Sequence, residues 1–96
     1  MLELTNNVER ITEAAPDQAE VIAVAHRGGG RGKRGAVLYD DGTGYVAAVV
    51  EWDDGTPKAY DKTYHGYRYA DARGRIVART LAWEAFRRRA GLDRVE

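Results

Sequence analysis

The chain is predicted to fold as one small α+β domain: a short N-terminal helix, a three- to four-stranded antiparallel sheet and a C-terminal helix packed on the sheet. Three features of the 96-residue sequence lead to this prediction. An apolar pattern at helical spacing ends at Pro16, short β-branched runs alternate with Asp-Gly turns, and a final run of strong helix formers stops at Gly91. A chain of this length has room for one modest core, so residues 1–96 are assigned to a single domain.

The first predicted element is an amphipathic helix from about Asn6 to Ala15. Asn6 and Glu9 have the three-residue spacing of a capping box, in which side chains bind free backbone amides of the first helical turn. Apolar residues then recur at helical spacing, at Leu4, Val8 and Ile11. Pro16 ends the pattern and therefore the helix.

The first two strands are predicted on either side of a basic, glycine-rich segment. Residues 21–25 form a compact apolar run, and residues 36–39 form a second one. Between them, residues 26–35 contain five glycines and four permanent cations, with no acidic or apolar residue. We expect this segment, called the Gly-rich segment below, to be one long flexible hairpin loop.

The third strand is predicted from Tyr45 to Trp52, after an Asp-Gly turn at residues 40–44. It is apolar on both faces, which predicts a central position in the sheet. A second turn at residues 53–57 leads into a fourth strand over residues 58–64. Because polar and charged side chains occupy both faces of this strand, we expect it at the edge of the sheet.

The C-terminal helix is predicted from about Asp71 or Arg75 to Ala90. One apolar arc groups Val77, Ala78, Leu81, Ala82 and Ala85, and a second arc contains Ile76, Trp83, Phe86 and Ala90. This surface is wider than one sheet contact needs. The helix is expected to pack between the sheet and the N-terminal helix, because large aromatics in small domains belong more often to the core; the alternative is that Trp83 and Phe86 are partly exposed for a partner.

Charge and composition exclude several classes of protein. Fifteen basic and fifteen acidic side chains cancel, which argues against a general polycation for nucleic acids or membranes. The balance is not local, because residues 36–57 carry five acids and no base, whereas residues 58–96 carry ten bases and five acids. The sequence shows neither a signal-peptide pattern nor an apolar run of membrane-spanning length, which predicts a cytoplasmic protein.

No group of residues in the sequence indicates an enzyme. Cys and Ser are both absent, which removes the thiol and the commonest hydroxyl nucleophile. The two histidines, His26 and His65, have no metal-binding spacing, so neither a metal nor another cofactor is expected. The Asp pairs at 40–41 and 53–54 each precede a glycine, where we expect them to serve the turn by hydrogen-bonding their own backbone.

The Gly-rich segment is the strongest indication of a binding function. Glycine exposes backbone amides and the cations add charge-assisted donors, a combination that suits phosphate. It is not a nucleotide-binding P-loop, because Gly32 and Lys33 are followed by Arg34 rather than Ser or Thr. The expected phosphate contacts are Arg27, Arg31, Lys33 and Arg34, and the alternative is a solvated loop without a ligand.

A second candidate patch combines aromatic and basic residues of the fourth strand. Rings beside cations stack on unpaired bases while the cations hold phosphate. The same tyrosines equally suit a protein interface, or they cover the sheet without binding anything. The residues assigned to this patch are Lys58, Tyr60, Lys62 and Tyr64.

A third basic group lies at the start of the final helix. The helix dipole explains the arginines at 87–89, near its C-terminus, but not Arg73, Arg75 and Arg79, near its positive end. These three are therefore candidate ligands for an anionic partner. They form one basic surface with the Gly-rich segment only if the two regions meet in the fold.

Two functions of different classes follow from these patches. The favoured one is a small non-enzymatic module that binds RNA or DNA through the Gly-rich segment, the Tyr/Lys edge strand and the Arg-rich helix. The other is a protein-binding inhibitor or accessory factor, of the small stand-alone kind common in phages and mobile elements, which blocks a host protein surface. A third alternative is self-association as a homodimer through Trp83 and Phe86.

Overall fold

A four-stranded antiparallel sheet with the C-terminal helix on one face forms the centre of the protein. The structure is a computed structural model and describes residues 11–27, 32–53 and 61–90. The sheet has the strand order β1-β2-β3-β4, so neighbours in the chain are neighbours in space. The elements are β1 (Glu20–Arg27), β2 (Gly32–Asp40), β3 (Gly44–Asp53), β4 (Asp61–Arg68) and α1 (Arg75–Ala90). The predicted α+β class, the sheet and the C-terminal helix are confirmed.

Both faces of the sheet are covered. Alternate residues of β2 and β3 pack on α1 on one face, which we call the helix face, and on residues 11–15 on the other. Since successive side chains of a strand point to opposite faces, a strand buried on both sides must be apolar throughout. The central position predicted for β3 is confirmed.

Only the end of the predicted N-terminal helix lies within the described residues. Residues 11 and 12 are helical, and turns follow in which the amide of Ala14 donates to the carbonyl of Ile11 at 3.1 Å. Ile11, Ala14 and Ala15 are buried against the sheet face opposite α1. The expectation that α1 packs between the sheet and this N-terminal segment is therefore wrong, because the sheet separates them. The helix predicted over residues 6–10 lies outside the described residues.

Strand pairing extends into the Gly-rich segment from both sides, which corrects the predicted long loop. His26 pairs with Gly35 and Arg27 with Arg34, and β2 already pairs with β3 from Gly32 onward. Residues 26, 27 and 32–35 thus lie in strands, and residues 28–31 lie outside the described residues. The prediction from composition was wrong here because strands pair through backbone hydrogen bonds, which glycine also makes. The neighbouring strand β3 is long enough to supply the partner groups.

The two edges of the sheet differ in regularity. β4 pairs with β3 alone among the described residues, which confirms its predicted edge position, and it extends to Arg68. At the other edge, the register of β1 shifts between Val21 and Ala23, so that Ile22 is an extra residue in the ladder. The ladder between β3 and β4 is continuous.

The helix α1 turns an alanine-rich face toward the sheet. Ala78, Ala82 and Ala85 are buried there with Phe86, while Val77 and Leu81 are 47% and 38% exposed. The predicted apolar arc that grouped these two aliphatic residues with the alanines is therefore only partly buried. The small alanine side chains let the helix approach the sheet closely, and Phe86 fills the space beside them.

Of the two aromatic residues of α1, Phe86 is buried in the core and Trp83 is partly buried against it. Phe86 is 2% exposed, and Trp83 packs against it edge to face with 5.5 Å between ring centroids. The homodimer predicted through Trp83 and Phe86 thus lacks one of its two contact residues. Within the part of the chain that the structure describes, α1 is neither long nor apolar enough to cross a membrane.

Candidate functional site

Arg34 of the Gly-rich segment and Arg75 at the start of α1 lie at opposite ends of the sheet. Arg34 lies in β2 close to the β1–β2 connection, whereas Arg75 contacts Asp40 at the far end of the same strand. Asp40 lies six positions after Arg34 in β2, a distance of about 20 Å at the usual rise of a strand. Among the described residues, Arg34 and Arg75 therefore do not share one basic surface.

Arg34 is the basic residue of the Gly-rich segment whose side chain the structure describes, and it is paired with an acid. The Nη2 atom of Arg34 lies 3.2 Å from Oε2 of Glu51, which is its register partner on β3. Both side chains are partly exposed, so the pair contributes little stability. It does offset the positive charge that Arg34 would offer to a phosphate. Arg31 and the side chains of Arg27 and Lys33 lie outside the described residues.

The described part of the Tyr/Lys patch lies on the sheet face opposite α1. The register of β3 and β4 pairs Lys62 and Tyr64 with residues buried on that face, and both side chains are exposed. Arg75 and Arg79 lie on α1 and therefore on the helix face. The two groups are thus separated by the sheet. Lys58 and Tyr60 lie outside the described residues.

The start of α1 is held by a buried carboxylate. Asp40 is 6% exposed; its Oδ1 accepts from the Tyr69 hydroxyl and from the Gly42 amide at 2.8 Å. Its Oδ2 accepts from Nη2 of Arg75 at 2.8 Å. The Nε of Arg75 in turn donates to the Tyr45 hydroxyl at 3.1 Å, and its guanidinium lies 5.1 Å from the centre of the Tyr69 ring. These residues form one hydrogen-bonded group, the Asp40 cluster.

Local backbone structure brings the members of the Asp40 cluster together. At the β2–β3 turn, the Asp41 carboxylate accepts from the amides of Thr43 and Gly44 at 2.8 and 2.9 Å, which confirms the predicted turn role of the Asp pair. Before α1, Arg73 and Gly74 have φ values of 61° and 143°. This left-handed backbone reverses the chain so that the next residue, Arg75, returns over the turn.

The electrostatics of the cluster keep its groups in the protonation states that the hydrogen bonds need. Burial by itself would raise the pKa of Asp40, but the bonds from Tyr69, Gly42 and Arg75 outweigh it and the pKa lies below its usual value. Burial, followed by the bond to Asp40, raises the pKa of Tyr69 to about 12. The hydrogen bond to Tyr45 is the largest of the causes that raise the pKa of Arg75. At neutral pH, Asp40 is therefore ionised and Tyr69 is protonated.

Contacts within the Asp40 cluster account for the position of the Arg75 side chain, so no bound ligand is needed to explain it. The sequence assigned Arg75 to an anionic partner, and the structure gives it an acid 35 positions earlier in the chain. The sequence showed an arginine at the positive end of a helix whose first turn contains no acidic residue. It did not show which carboxylate elsewhere in the chain binds this arginine. A cavity of about 420 Å³ lies beside the cluster, where Glu20 and Asp40 face Arg75 and Arg79. With both signs of charge in its lining, it does not form a cationic pocket.

Asp40→Asn is expected to lower the free energy of unfolding by about 1–3 kcal/mol, since a neutral amide replaces the charged acceptor of three hydrogen bonds. Because the pKa of folded Asp40 is lowered, its contribution is present above the ordinary carboxyl pKa and is lost as the pH falls below about 4. Urea unfolding at several pH values, followed by circular dichroism, measures both effects. Asp71→Asn, at an exposed position, is the control; identical acid sensitivity of Asp40→Asn and the native protein would contradict the assignment.

A second candidate site is the outer edge of β4. No other described segment pairs with this side of β4. Proteins protect edge strands with bulges that interrupt the ladder, as the extra residue in β1 does. The continuous register of β4 lacks such protection. Of the two edges that the described residues form, β4 is therefore the one with a regular register.

Exposed aliphatic side chains of α1 lie beside this edge. Leu81 lines a cavity of about 200 Å³ together with Tyr67 and Arg68 of β4 and Ala72 of the preceding turn. Val77 lies one helical turn before Leu81 on the same flank of α1. We call this surface, formed by the outer edge of β4 at residues 66–68 and by Val77 and Leu81, the β4–α1 groove.

No known protein family, curated protein or solved structure matches this chain. Across residues 11–27, 32–53 and 61–90, no three His, Asp or Glu side chains lie close enough together to hold a metal ion. The sequence reasoning missed the β4–α1 groove because it placed Val77 and Leu81 with the buried alanines.

Proposed function

We propose that this protein is a protein-binding module, an inhibitor or accessory factor that captures its partner at the β4–α1 groove. One observation carries the proposal: two large aliphatic residues of α1 face solvent beside the edge strand β4. Val77 and Leu81 are 47% and 38% exposed, whereas Ala78, Ala82 and Ala85 of the same helix are buried. Apolar side chains next to a free strand edge are typical of protein interaction surfaces.

The distribution of charge also favours a protein partner over nucleic acid. A phosphate backbone is bound best by cations along one continuous surface. Here Arg34 is paired with Glu51, Arg75 is bound to Asp40, and Lys62 lies on the opposite face of the sheet from Arg75. Nucleic-acid binding stays a prediction from the sequence. If the partner is a protein, random RNA or DNA should show no electrophoretic shift at low salt and micromolar protein.

The double variant Val77→Glu with Leu81→Glu is expected to remove partner capture and to leave the fold intact. Both side chains are more than a third exposed, so the free energy of unfolding should change by less than about 1 kcal/mol. The charges that it introduces would have to be buried against the partner, which is costly without a counter-charge. The measurement is affinity capture from extract of the source cells after nuclease treatment, with the retained proteins quantified by mass spectrometry.

Thr80→Glu is the matched control for this experiment. Thr80 is an exposed residue of the same helix whose hydroxyl donates to the Ile76 carbonyl at 3.0 Å, and it lies on the solvent side rather than toward β4. The native protein and Thr80→Glu should retain the same proteins, and the double variant should not. Retention of the same proteins by all three, or by none, would be evidence against the proposed function.

A further inference from the structure

We propose that the cavity beside the Asp40 cluster binds a small zwitterion, an α-amino acid with a short aliphatic side chain. The carboxylate of the ligand lies against Arg79 and the Tyr45 hydroxyl, and its ammonium group lies against Glu20. This cavity shares no lining residue with the cavity at the β4–α1 groove, so the inference does not rest on the proposed function.

The cavity lies where the first two turns of α1 pass the start of β1. Arg75 and Arg79, one turn apart, line it from the helix, and Glu20, Val21 and Ile22 line it from the strand. The register of β1 shifts here, and bulges of this kind re-aim side chains and are frequent next to active sites. Its volume of about 420 Å³ is within the usual range of small-molecule sites, about 300–1,000 Å³.

The charges of the lining fit a ligand that carries both signs. Arg75 and Asp40 are bound to each other, which leaves Arg79 on α1 and Glu20 on β1. Neither of these two forms an ion pair within the part of the chain that the structure describes. They line one cavity without pairing, so a ligand between them can contact both. A ligand of a single charge would leave one of them uncompensated, whereas a zwitterion forms a charge-assisted hydrogen bond with each.

A buried hydroxyl group adds a hydrogen-bond donor to the cavity. Tyr45 is 5% exposed, and its oxygen accepts from Nε of Arg75 at 3.1 Å. A phenol accepts and donates at the same time. In residues 11–27, 32–53 and 61–90, the Tyr45 hydroxyl hydrogen has no acceptor. Because a buried donor without a partner is costly, this position favours a ligand oxygen such as that of a carboxylate.

The apolar part of the lining favours a short aliphatic side chain on the ligand. Val21 is 44% exposed and Ile22 is partly buried, and both line the cavity. Covering them with methyl groups of the ligand removes apolar surface from water on both sides. L-valine therefore carries each group that the lining can bind, namely a carboxylate, an ammonium group and a branched aliphatic side chain.

The test is a titration of the full chain, labelled with nitrogen-15, with L-valine at millimolar concentration and low salt. We expect shifts confined to the amide resonances of residues 20–23, 45 and 75–79. Two analogues keep the aliphatic group and lack one charge each: 3-methylbutanoate lacks the ammonium group, and isobutylamine lacks the carboxylate. Each should bind at least about tenfold more weakly than L-valine, since one charged contact is lost.

Two variants assign the charges of the ligand to their partners. Arg79→Gln and Glu20→Gln should each weaken L-valine binding about tenfold. In Arg79→Gln, L-valine should bind no better than isobutylamine, and in Glu20→Gln no better than 3-methylbutanoate. Both residues are exposed, so the variants should fold like the native protein, which circular dichroism checks. Arg88→Gln, at an exposed arginine of the same helix outside the cavity lining, is the matched control and should bind like the native protein.

Three outcomes would overturn the inference. They are the absence of shifts with L-valine, binding of either analogue as tight as that of L-valine, and unchanged binding of L-valine by Arg79→Gln or Glu20→Gln. Equal binding of 3-methylbutanoate would mean that the cavity takes an anion only. The capture experiment with the double variant at Val77 and Leu81 decides the proposed function separately, because those residues do not line this cavity.

Discussion

Phe86→Ala is expected to lower the free energy of unfolding by about 3–5 kcal/mol, which is a large part of the stability of a domain of this size. The ring is 2% exposed, belongs to the core cluster that includes Leu38 and Val49 of the sheet, and packs edge to face with Trp83 of its own helix. The neighbouring helix residues are alanines, whose side chains are too short to fill the cavity. Urea unfolding followed by circular dichroism measures the loss.

Ile76→Ala is the matched control for Phe86→Ala, because Ile76 belongs to the same helix and is 82% exposed. We expect it to change the free energy of unfolding by less than about 0.5 kcal/mol. The loss caused by Phe86→Ala should be the same at all protein concentrations. A loss that depends on protein concentration would show instead that Phe86 contributes to an interface between two copies, as in the homodimer alternative.

Gly44→Ala is expected to cost about 1–3 kcal/mol, because β3 and β4 approach too closely there for a side chain. A Cβ at Gly44 would lie 2.6 Å from the carbonyl oxygen of Tyr67 and 2.7 Å from Cα of Arg68. Both are backbone atoms, so the overlap is relieved only by opening the end of the ladder. That movement also disturbs the Asp40 cluster, since the amide of Tyr69 donates to the nearby carbonyl of Thr43 at 3.0 Å.

Gly66→Ala provides the comparison for Gly44→Ala. The nearest atom to a Cβ at Gly66 is Cγ2 of Val46 at 3.8 Å, an ordinary van der Waals contact. In an extended strand, alanine also loses less conformational entropy on folding than glycine, so the variant should be as stable as the native protein or slightly more stable. Thermal unfolding of both variants checks the difference. Equal stability of the two variants would show that close strand approach is not what requires Gly44.

The Asp40 cluster shows why residue type and spacing predicted only part of the candidate site. Asp40 fits the prediction of a turn residue, since it accepts from the Gly42 amide two positions later. Its contacts with Tyr69 and Arg75 cross the fold, and many acids in this chain were equally plausible partners for Arg75. Local hydrogen bonds follow from sequence neighbours, whereas the choice of a distant ion-pair partner follows from how α1 is placed on the sheet.

The sequence by itself determined the elements whose signal is local. The alternating apolar residues of β3 predict burial on both faces, and the Asp-Gly turn and the final run of helix formers predict their own conformations from their own residues. Only the tertiary structure decided three further features: the rotation of α1 that buries Ala78 and exposes Val77, the pairing of glycine-rich backbone with β3, and the separation of Arg34 from Arg75. Each of these features depends on contacts between residues that are far apart in the sequence. Local periodicity and composition carry no information about such contacts.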